Sequence, residues 1–120
     1  MSTAIILFAH GARDPEWARP FERLRDAVAA RAPGAQVRLA FLEFMSPDLD
    51  GAIAAAVAAG ATALDVVPVF MAQGGHLKRD LPRMLDAARA RHPALRLTLR
   101  GAVGEADAVI EAMARHIAGA

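Results

Sequence analysis

The spacing of hydrophobic positions changes repeatedly along this chain. Residues 3–9, Thr-Ala-Ile-Ile-Leu-Phe-Ala, form a continuous apolar run that stops at His10-Gly11. A short run bounded by a turn predicts a parallel strand buried on both faces. After Asp14-Pro15, a cap followed by proline, the period lengthens. Trp17, Phe21, Leu24 and Val28 then fall at i, i+4, i+7 and i+11, which predicts one buried helical face. Pro20 interrupts that stretch and leaves two readings open: one continuous helix, or a main helix beginning near Pro20 after a separate turn over 14–19. Pro33-Gly34 ends the segment.

Residues 36–42, Gln-Val-Arg-Leu-Ala-Phe-Leu, predict a second strand leading into Glu43-Phe44-Met45. Ser46-Pro47-Asp48 reads as a helix start with a hydroxyl cap and proline in the first helical position. Leu49, Ile53 and Val57 give that helix its apolar stripe, and Gly60 its terminating glycine. A third strand is expected over 63–71. Its apolar run breaks at Gln73-Gly74-Gly75-His76, where a glycine pair lets the backbone turn. Asp80 reads as the cap of the next helix, with Leu81, Met84, Leu85 and Ala88 facing inward as far as Arg91, and His92-Pro93 breaking it. Over 95–101, Leu95, Leu97 and Leu99 alternate with Arg96, Thr98 and Arg100, as on an edge strand. A last helix from about Gly104 is expected to bury Ala106, Ile110, Met113 and Ile117.

The resulting order, βαβαβαβα, implies one α/β domain over residues 1–120: a three-layer α/β/α arrangement around a four-stranded parallel sheet. The natural strand order is 2-1-3-4, flavodoxin-like. Pro68 resists this reading. It lies mid-run in an interior strand, where it would remove a ladder hydrogen bond unless a bulge or an unpaired position absorbs it.

Composition narrows the function classes. In 120 residues, 55% are hydrophobic but only 5% aromatic, so the core is expected to be aliphatic, with helices lying close on the sheet. A net charge of +1 gives no footprint for nucleic acid. No apolar stretch reaches the roughly 18 residues of a membrane span, and no basic leader precedes the first strand, so a cytoplasmic protein is expected. With no cysteine, disulfides, Fe–S clusters and thiolate chemistry are excluded, and any metal must be held by His, Asp or Glu.

On that frame His10 ends strand 1, Glu43 ends strand 2 and His76 follows strand 3. In the order 2-1-3 these are neighbouring strands about 4.8 Å apart, at the carboxyl edge where open α/β sheets bind ligands. Two imidazoles and a carboxylate suit Co²⁺, Ni²⁺, Fe²⁺ or Zn²⁺, and an imidazole can also take up a proton. Each residue has an ordinary alternative. His10 could be a satisfied polar group at a strand end, Glu43 and His76 solvated loop residues, and Arg13, Lys78 and Arg79 plain surface charge. Their coincidence in one crevice favours the ligand reading. His92 and His116 lie near helix C-termini, where a cation complements the dipole, and are assigned no chemistry.

His10-Gly11-Ala12-Arg13-Asp14-Pro15, then residues 39–45 with Pro47, then residues 66–82 with Gly-Gly-His-Leu-Lys-Arg-Asp-Leu-Pro, together resemble the class II tetrapyrrole chelatases. The match is to the short, single-domain sirohydrochlorin chelatases of CbiX type, and it covers nearly the whole chain. It implies a chelatase-like fold and insertion of a divalent metal into sirohydrochlorin, Co²⁺ first, with Ni²⁺ or Fe²⁺ as alternatives. The metal would be a substrate, with no tightly bound cofactor. The resemblance assigns metal binding and proton removal to His10, Glu43 and His76. Arg13, Lys78 and Arg79 would grip carboxylates of the macrocycle, helped by the N–H groups of Gly74 and Gly75. Phe44, Met45 and Met71 would form an apolar shelf beneath it. Longer relatives fuse two such domains, which implies that the single-domain form is a homodimer.

Three rivals stand beside this reading. A His-Gly after a first strand also opens the Arg-His-Gly phosphatases, but here Ala9 occupies the arginine position. A metal chaperone or carrier could use the same His-Glu-His trio without needing Lys78, Arg79 or an apolar shelf. A tetrapyrrole carrier would bind the macrocycle without turnover.

Overall fold

The computed structural model describes residues 2–119. Strands β1 (Thr3–Ala9), β2 (Gln36–Phe41), β3 (Ala63–Pro68) and β4 (Arg96–Leu99) form one all-parallel sheet in the order β2-β1-β3-β4. Helices α1 (Arg19–Arg31), α2 (Leu49–Ala58), α3 (Gly75–Arg91) and α4 (Asp107–Ala118) alternate with the strands, and 3₁₀ turns occupy Pro15–Ala18 and Val103–Glu105. This is the α/β architecture and strand order expected from the hydrophobic pattern.

Side chains alternate across a strand, so one run of residues feeds two cores. Ala4, Ile6 and Phe8 of β1 join Ala40, Leu64, Val66 and Leu97 on one face. There they meet Leu49, Ile53 and Ala56 of α2 and Leu81, Leu85 and Ala88 of α3. On the opposite face Leu7, Ala9, Leu39, Phe41 and Val67 pack under Trp17 and Phe21, whose rings lie 4.5 Å apart. The second of the two readings around Pro20 is the observed one. Asp14 caps the 3₁₀ turn by accepting the Glu16 N–H at 2.9 Å, and Pro20 falls at the start of α1, where a missing N–H costs nothing. The α1 face is less enclosed than its periodicity implies: Phe21 and Val28 are half-buried and Leu24 is exposed.

Pro68 needs no bulge. It stands in register with Phe8, and the Val69 N–H bonds the Phe8 carbonyl at 2.8 Å, so odd-numbered residues of β3 point their backbone groups toward β1. Even-numbered residues point toward β4, whose last bond is Arg100 N–H to the Val66 carbonyl. The Pro68 nitrogen therefore faces a place that β4 has already left, and β3 ends there, before residue 71.

All the helix starts after α1 differ from the sequence expectation, and β2 and β4 are shorter than the 36–42 and 95–101 expected. Helix α2 is capped by Asp48, which accepts the Gly51 N–H at 2.8 Å, not by Ser46. The Pro47 carbonyl is held by the Phe41 N–H at 2.9 Å, which keeps residue 47 tied to the end of β2 and outside the helix. Helix α3 begins at Gly75, with Asp80 inside it. Extended Gly74 is its cap residue, and the Lys78 N–H closes the first turn on the Gly74 carbonyl at 3.0 Å. Pro82 then lies within the helix, and its missing N–H forgoes only a bond to the carbonyl of exposed Lys78.

The largest departure concerns the last helix, which begins at Asp107 and not near Gly104. Ala106 is exposed, Met113 half-buried, and Ile110 and Ile117 are 48% and 83% exposed. The backbone explains this. The Gly104 N–H bonds the Phe70 carbonyl at 2.8 Å, and a Cβ at Gly104 would stand 2.3 Å from the Met71 Cα. That close approach pins the 3₁₀ turn to the end of β3, and α4 leaves from it without returning to the sheet. The layer opposite α2 and α3 is thus supplied by α1 and the turn before it. Among the described residues, no helix is long and apolar enough to cross a membrane.

Candidate functional site

The carboxyl ends of β1, β2 and β3 are knitted together by backbone bonds that continue beyond the strands. The Leu42 N–H bonds the Ala9 carbonyl at 2.9 Å and the Glu43 N–H bonds the His10 carbonyl at 3.0 Å, so Glu43 is held directly beside His10. This pairing depends on Gly11. Its φ is +88°, and a Cβ there would lie 1.9 Å from the Glu43 carbonyl oxygen, so only glycine lets the two segments approach.

The chain then reverses in a single residue. The Met45 N–H reaches the Glu43 carbonyl at 2.8 Å across Phe44, whose φ is +66°. A three-residue turn with a positive central φ is a strained γ-turn, rare for a bulky side chain. It presents the Phe44 ring, 57% exposed, on the edge of the sheet. The Arg13 guanidinium carbon lies 4.8 Å from the centroid of that ring, a cation–π contact that joins the His10–Arg13 segment to the loop after β2.

On the other side of His10 stands Phe70, buried at the end of the third apolar run. The two ring centroids are 4.4 Å apart, and Phe70 in turn meets Phe8 edge-on at 6.0 Å. The imidazole thus rests on an aromatic stack rooted in the principal core while remaining exposed itself. Sequence reasoning missed Phe70 as a support for His10. The available signal was parity: Phe8 and His10 are both even-numbered, and register pairs Phe8 with Pro68.

His76 lies in the first turn of α3, exposed, one loop away from His10. No side chain caps that helix, so the N–H groups of its first turn, from Gly75 onward, are free to meet an anion. Lys78 and Arg79 are also exposed, and among the described residues neither they nor Arg13 form an ion pair. Met71 is 66% exposed and Met45 half-buried.

The structure therefore brings His10, Glu43, Arg13 and Phe44 together and sets His76, Gly74, Gly75, Lys78 and Arg79 on the adjoining loop and helix start. It does not close the trio into a finished metal centre. Among the described residues, no three His, Cys, Asp or Glu side chains are grouped closely enough to hold an ion. Nor is the site a cavity: a groove of about 600 Å³ between α1 and α2 includes Met45 in its lining, but not His10, Glu43 or His76. The arrangement is an open shelf with exposed imidazoles, an apolar ring and a rim of unpaired cations. Chemically, such a shelf can receive a flat anionic ligand on one face and offer nitrogen and oxygen donors to a cation.

The CbiX family model matches residues 4–120. A protein named sirohydrochlorin cobaltochelatase from Methanopyrus kandleri is 35% identical over 82 residues, 68% of this chain and 57% of that protein. One of the same name from Methanocaldococcus jannaschii is 35% identical over 89 residues, 74% of this chain and 62% of that protein. The chain thus spans about three fifths of the length of these relatives. Among solved structures, a CbiX protein from Marinobacter aquaeolei VT8 superposes with a TM-score of 0.85 at 30% identity, covering 98% of this chain and 95% of that one. The sirohydrochlorin chelatase SirB from Bacillus subtilis subspecies spizizenii, in complex with cobalt, superposes with a TM-score of 0.84 at 25% identity. That match covers 99% of this chain and 51% of SirB.

Proposed function

Because this chain belongs to the CbiX family, we propose that it inserts a divalent metal ion, Co²⁺ first among Co²⁺, Ni²⁺ and Fe²⁺, into sirohydrochlorin. The observation that carries this reading is the pairing of His10 with Glu43 on the shelf formed by Phe44, between aromatic support and unpaired cations. Insertion converts the free macrocycle and M²⁺ into the metallated macrocycle and two protons, with no change of oxidation state. Two tasks follow. The pyrrole N–H protons must be taken up, and the ion must be presented as it sheds water.

His10 takes a pyrrole proton in this scheme. Its ring is fixed against Phe70 yet exposed, so it can face the centre of a macrocycle lying on Phe44, Met45 and Met71. Glu43 and His76 hold the incoming ion. Their exposure leaves them free to rotate toward it, and the pyrrole nitrogens complete its ligand set as it enters. Arg13, Lys78, Arg79 and the free N–H groups at the start of α3 meet the peripheral carboxylates. The open shelf supplies one wall for a flat ligand, and a second copy of the chain would supply the other. The same fold accounts for 51% of the longer SirB chain, which fits that arrangement.

A carrier and an enzyme differ at His10. His10→Ala is expected to lower the insertion rate at least tenfold while leaving metal-free sirohydrochlorin bound with affinity within about threefold of the wild type, a tenfold change being about 1.4 kcal/mol. Fluorescence titration would measure binding and absorbance the insertion. Unchanged insertion by this variant would remove His10 from the chemistry, and binding without any insertion by the wild type would leave a carrier.

A further inference from the structure

Strand β3 ends at Pro68, yet the segment that follows it is gripped from the side of β4. The Phe70 carbonyl accepts the Gly104 N–H at 2.8 Å. The backbones meet so closely there that a Cβ on Gly104 would stand 2.3 Å from the Met71 Cα and 2.4 Å from the Met71 carbonyl oxygen. Further along, the Gln73 N–H reaches a carboxylate oxygen of Glu105 at 3.4 Å. The 3₁₀ turn Val103–Glu105 thus touches Phe70, Met71 and Gln73 on the way to the Gly74-Gly75 pair.

That turn is well anchored. Ala102 is buried in the α2–α3 core, Val103 packs against the cluster on the opposite face of the sheet, and Gly104 is buried beside them. The Glu105 N–H closes on the Ala102 carbonyl at 3.0 Å, and the Ala106 N–H on the Val103 carbonyl at 3.2 Å. A body tied to both cores can set the course of a loop whose residues Met71, Ala72 and Gly74 are exposed. Both imidazoles depend on that course. His10 rests on the Phe70 ring, 4.4 Å between centroids, and His76 follows Gln73 in the first turn of α3.

We propose that Gly104 and Glu105 are positioning residues of the shelf: Gly104 places His10 through the Phe70 ring, and Glu105 places His76 through the Gln73 amide. One turn beyond the edge strand β4 then holds in fixed relation two histidines that follow different strands. The inference rests on the chelatase reading for its purpose. An ion held at His76 and a proton taken at His10 need a set separation, and a misplacement of about 1 Å can cost on the order of a hundredfold in rate. The two contacts are unequal. The Gly104 bond is short and interior, whereas Glu105 is exposed and its bond long, so Gly104 should carry the larger effect.

Proton NMR of the imidazoles reads the placement without metal or tetrapyrrole. In the wild type the His10 ring protons are expected upfield of those of His92, shielded by the Phe70 ring. Gly104→Ala should move them toward an unstacked histidine while His92, at the far end of α3, keeps its signals. Glu105→Ala should shift the His76 signals and spare those of His10. Glu105→Gln, whose amide oxygen still accepts the Gln73 N–H, should restore them. If Gly104→Ala does not fold, Phe70→Leu takes its place: it keeps the backbone bond and apolar bulk, and the His10 signals must move there too.

In turnover with sirohydrochlorin and Co²⁺, Gly104→Ala should lower kcat by about tenfold or more and Glu105→Ala by about threefold. KM for the macrocycle should stay within about threefold in both, because Arg13, Phe44 and Met45 are not tied to the turn. Wild-type His10 signals with no upfield displacement, His10 signals unmoved in folded Gly104→Ala or in Phe70→Leu, or His76 signals unmoved by Glu105→Ala would overturn the placement. Displaced imidazoles with undiminished turnover would overturn the positioning role and leave the chelatase reading standing. A wild type that inserts no metal would end that reading, and the imidazole signals alone would then decide the placement.

Discussion

At the scale of single residues, the shelf depends on conformations that cost stability. Gly11 meets the Glu43 carbonyl where no other residue fits, and Phe44 occupies a left-handed backbone that glycine would adopt freely. A bulky ring held in that region is expected to cost about 1–3 kcal/mol, which the Arg13 contact and the two backbone bonds at Glu43 offset. Replacing Phe44 separates backbone from ring. Phe44→Gly is expected to be more stable than Phe44→Ala by about 1 kcal/mol in denaturant unfolding, since only alanine keeps the strain. Both variants should bind sirohydrochlorin more weakly than the wild type. Equal stability of the two would mean that the turn is not strained, and undiminished binding would take Phe44 out of the shelf. His10 and Glu43 were legible as candidates because each ends an apolar strand, and strand order alone makes them neighbours. The γ-turn at Phe44 and the support from Phe70 were not legible, because both come from where segments meet, and no local spacing encodes that.

Among the elements, those that bury an apolar stripe against the sheet follow the sequence closely. Strand β1 begins and ends where its hydrophobic run does, α2 buries Leu49 and Ile53, and β4 alternates as an edge strand. The misread helix starts have separate causes. Ser46-Pro47 and Asp80-Leu81-Pro82 both carry local helix-start signals, but the Phe41 N–H ties the Pro47 carbonyl to the end of β2, and at Asp80 the helix is already under way, its first turn closed by the Lys78 N–H on the Gly74 carbonyl. The cap that matters for α2 is therefore Asp48. Asp48→Ala should lower stability by about 1 kcal/mol, the usual cost of losing a side-chain N-cap, whereas Ser46→Ala should fall within about 0.5 kcal/mol of the wild type. Thermal or denaturant melts would measure both, and the reverse order would put the cap at Ser46.

For the molecule as a whole, helix α4 is the case where a correct pattern led to a wrong placement. Ala106, Ile110, Met113 and Ile117 do recur at helical spacing, but periodicity specifies only that a face seeks burial and not what buries it. The open shelf shows the same incompleteness: exposed imidazoles, unpaired cations and an apolar ring, with nothing facing them in the single chain. The shelf, with its exposed imidazoles and rim of cations, suits the proposed flat, multiply charged ligand and metal ion together. The most direct measurement is the absorbance of anaerobic sirohydrochlorin mixed with Co²⁺, with and without the purified protein. Metal insertion, seen as the shift of the macrocycle spectrum, is expected to run at least tenfold faster with catalytic amounts of protein and to continue beyond one equivalent. A rate equal to the protein-free reaction, in a sample that still binds the macrocycle or the ion, would contradict the proposed activity.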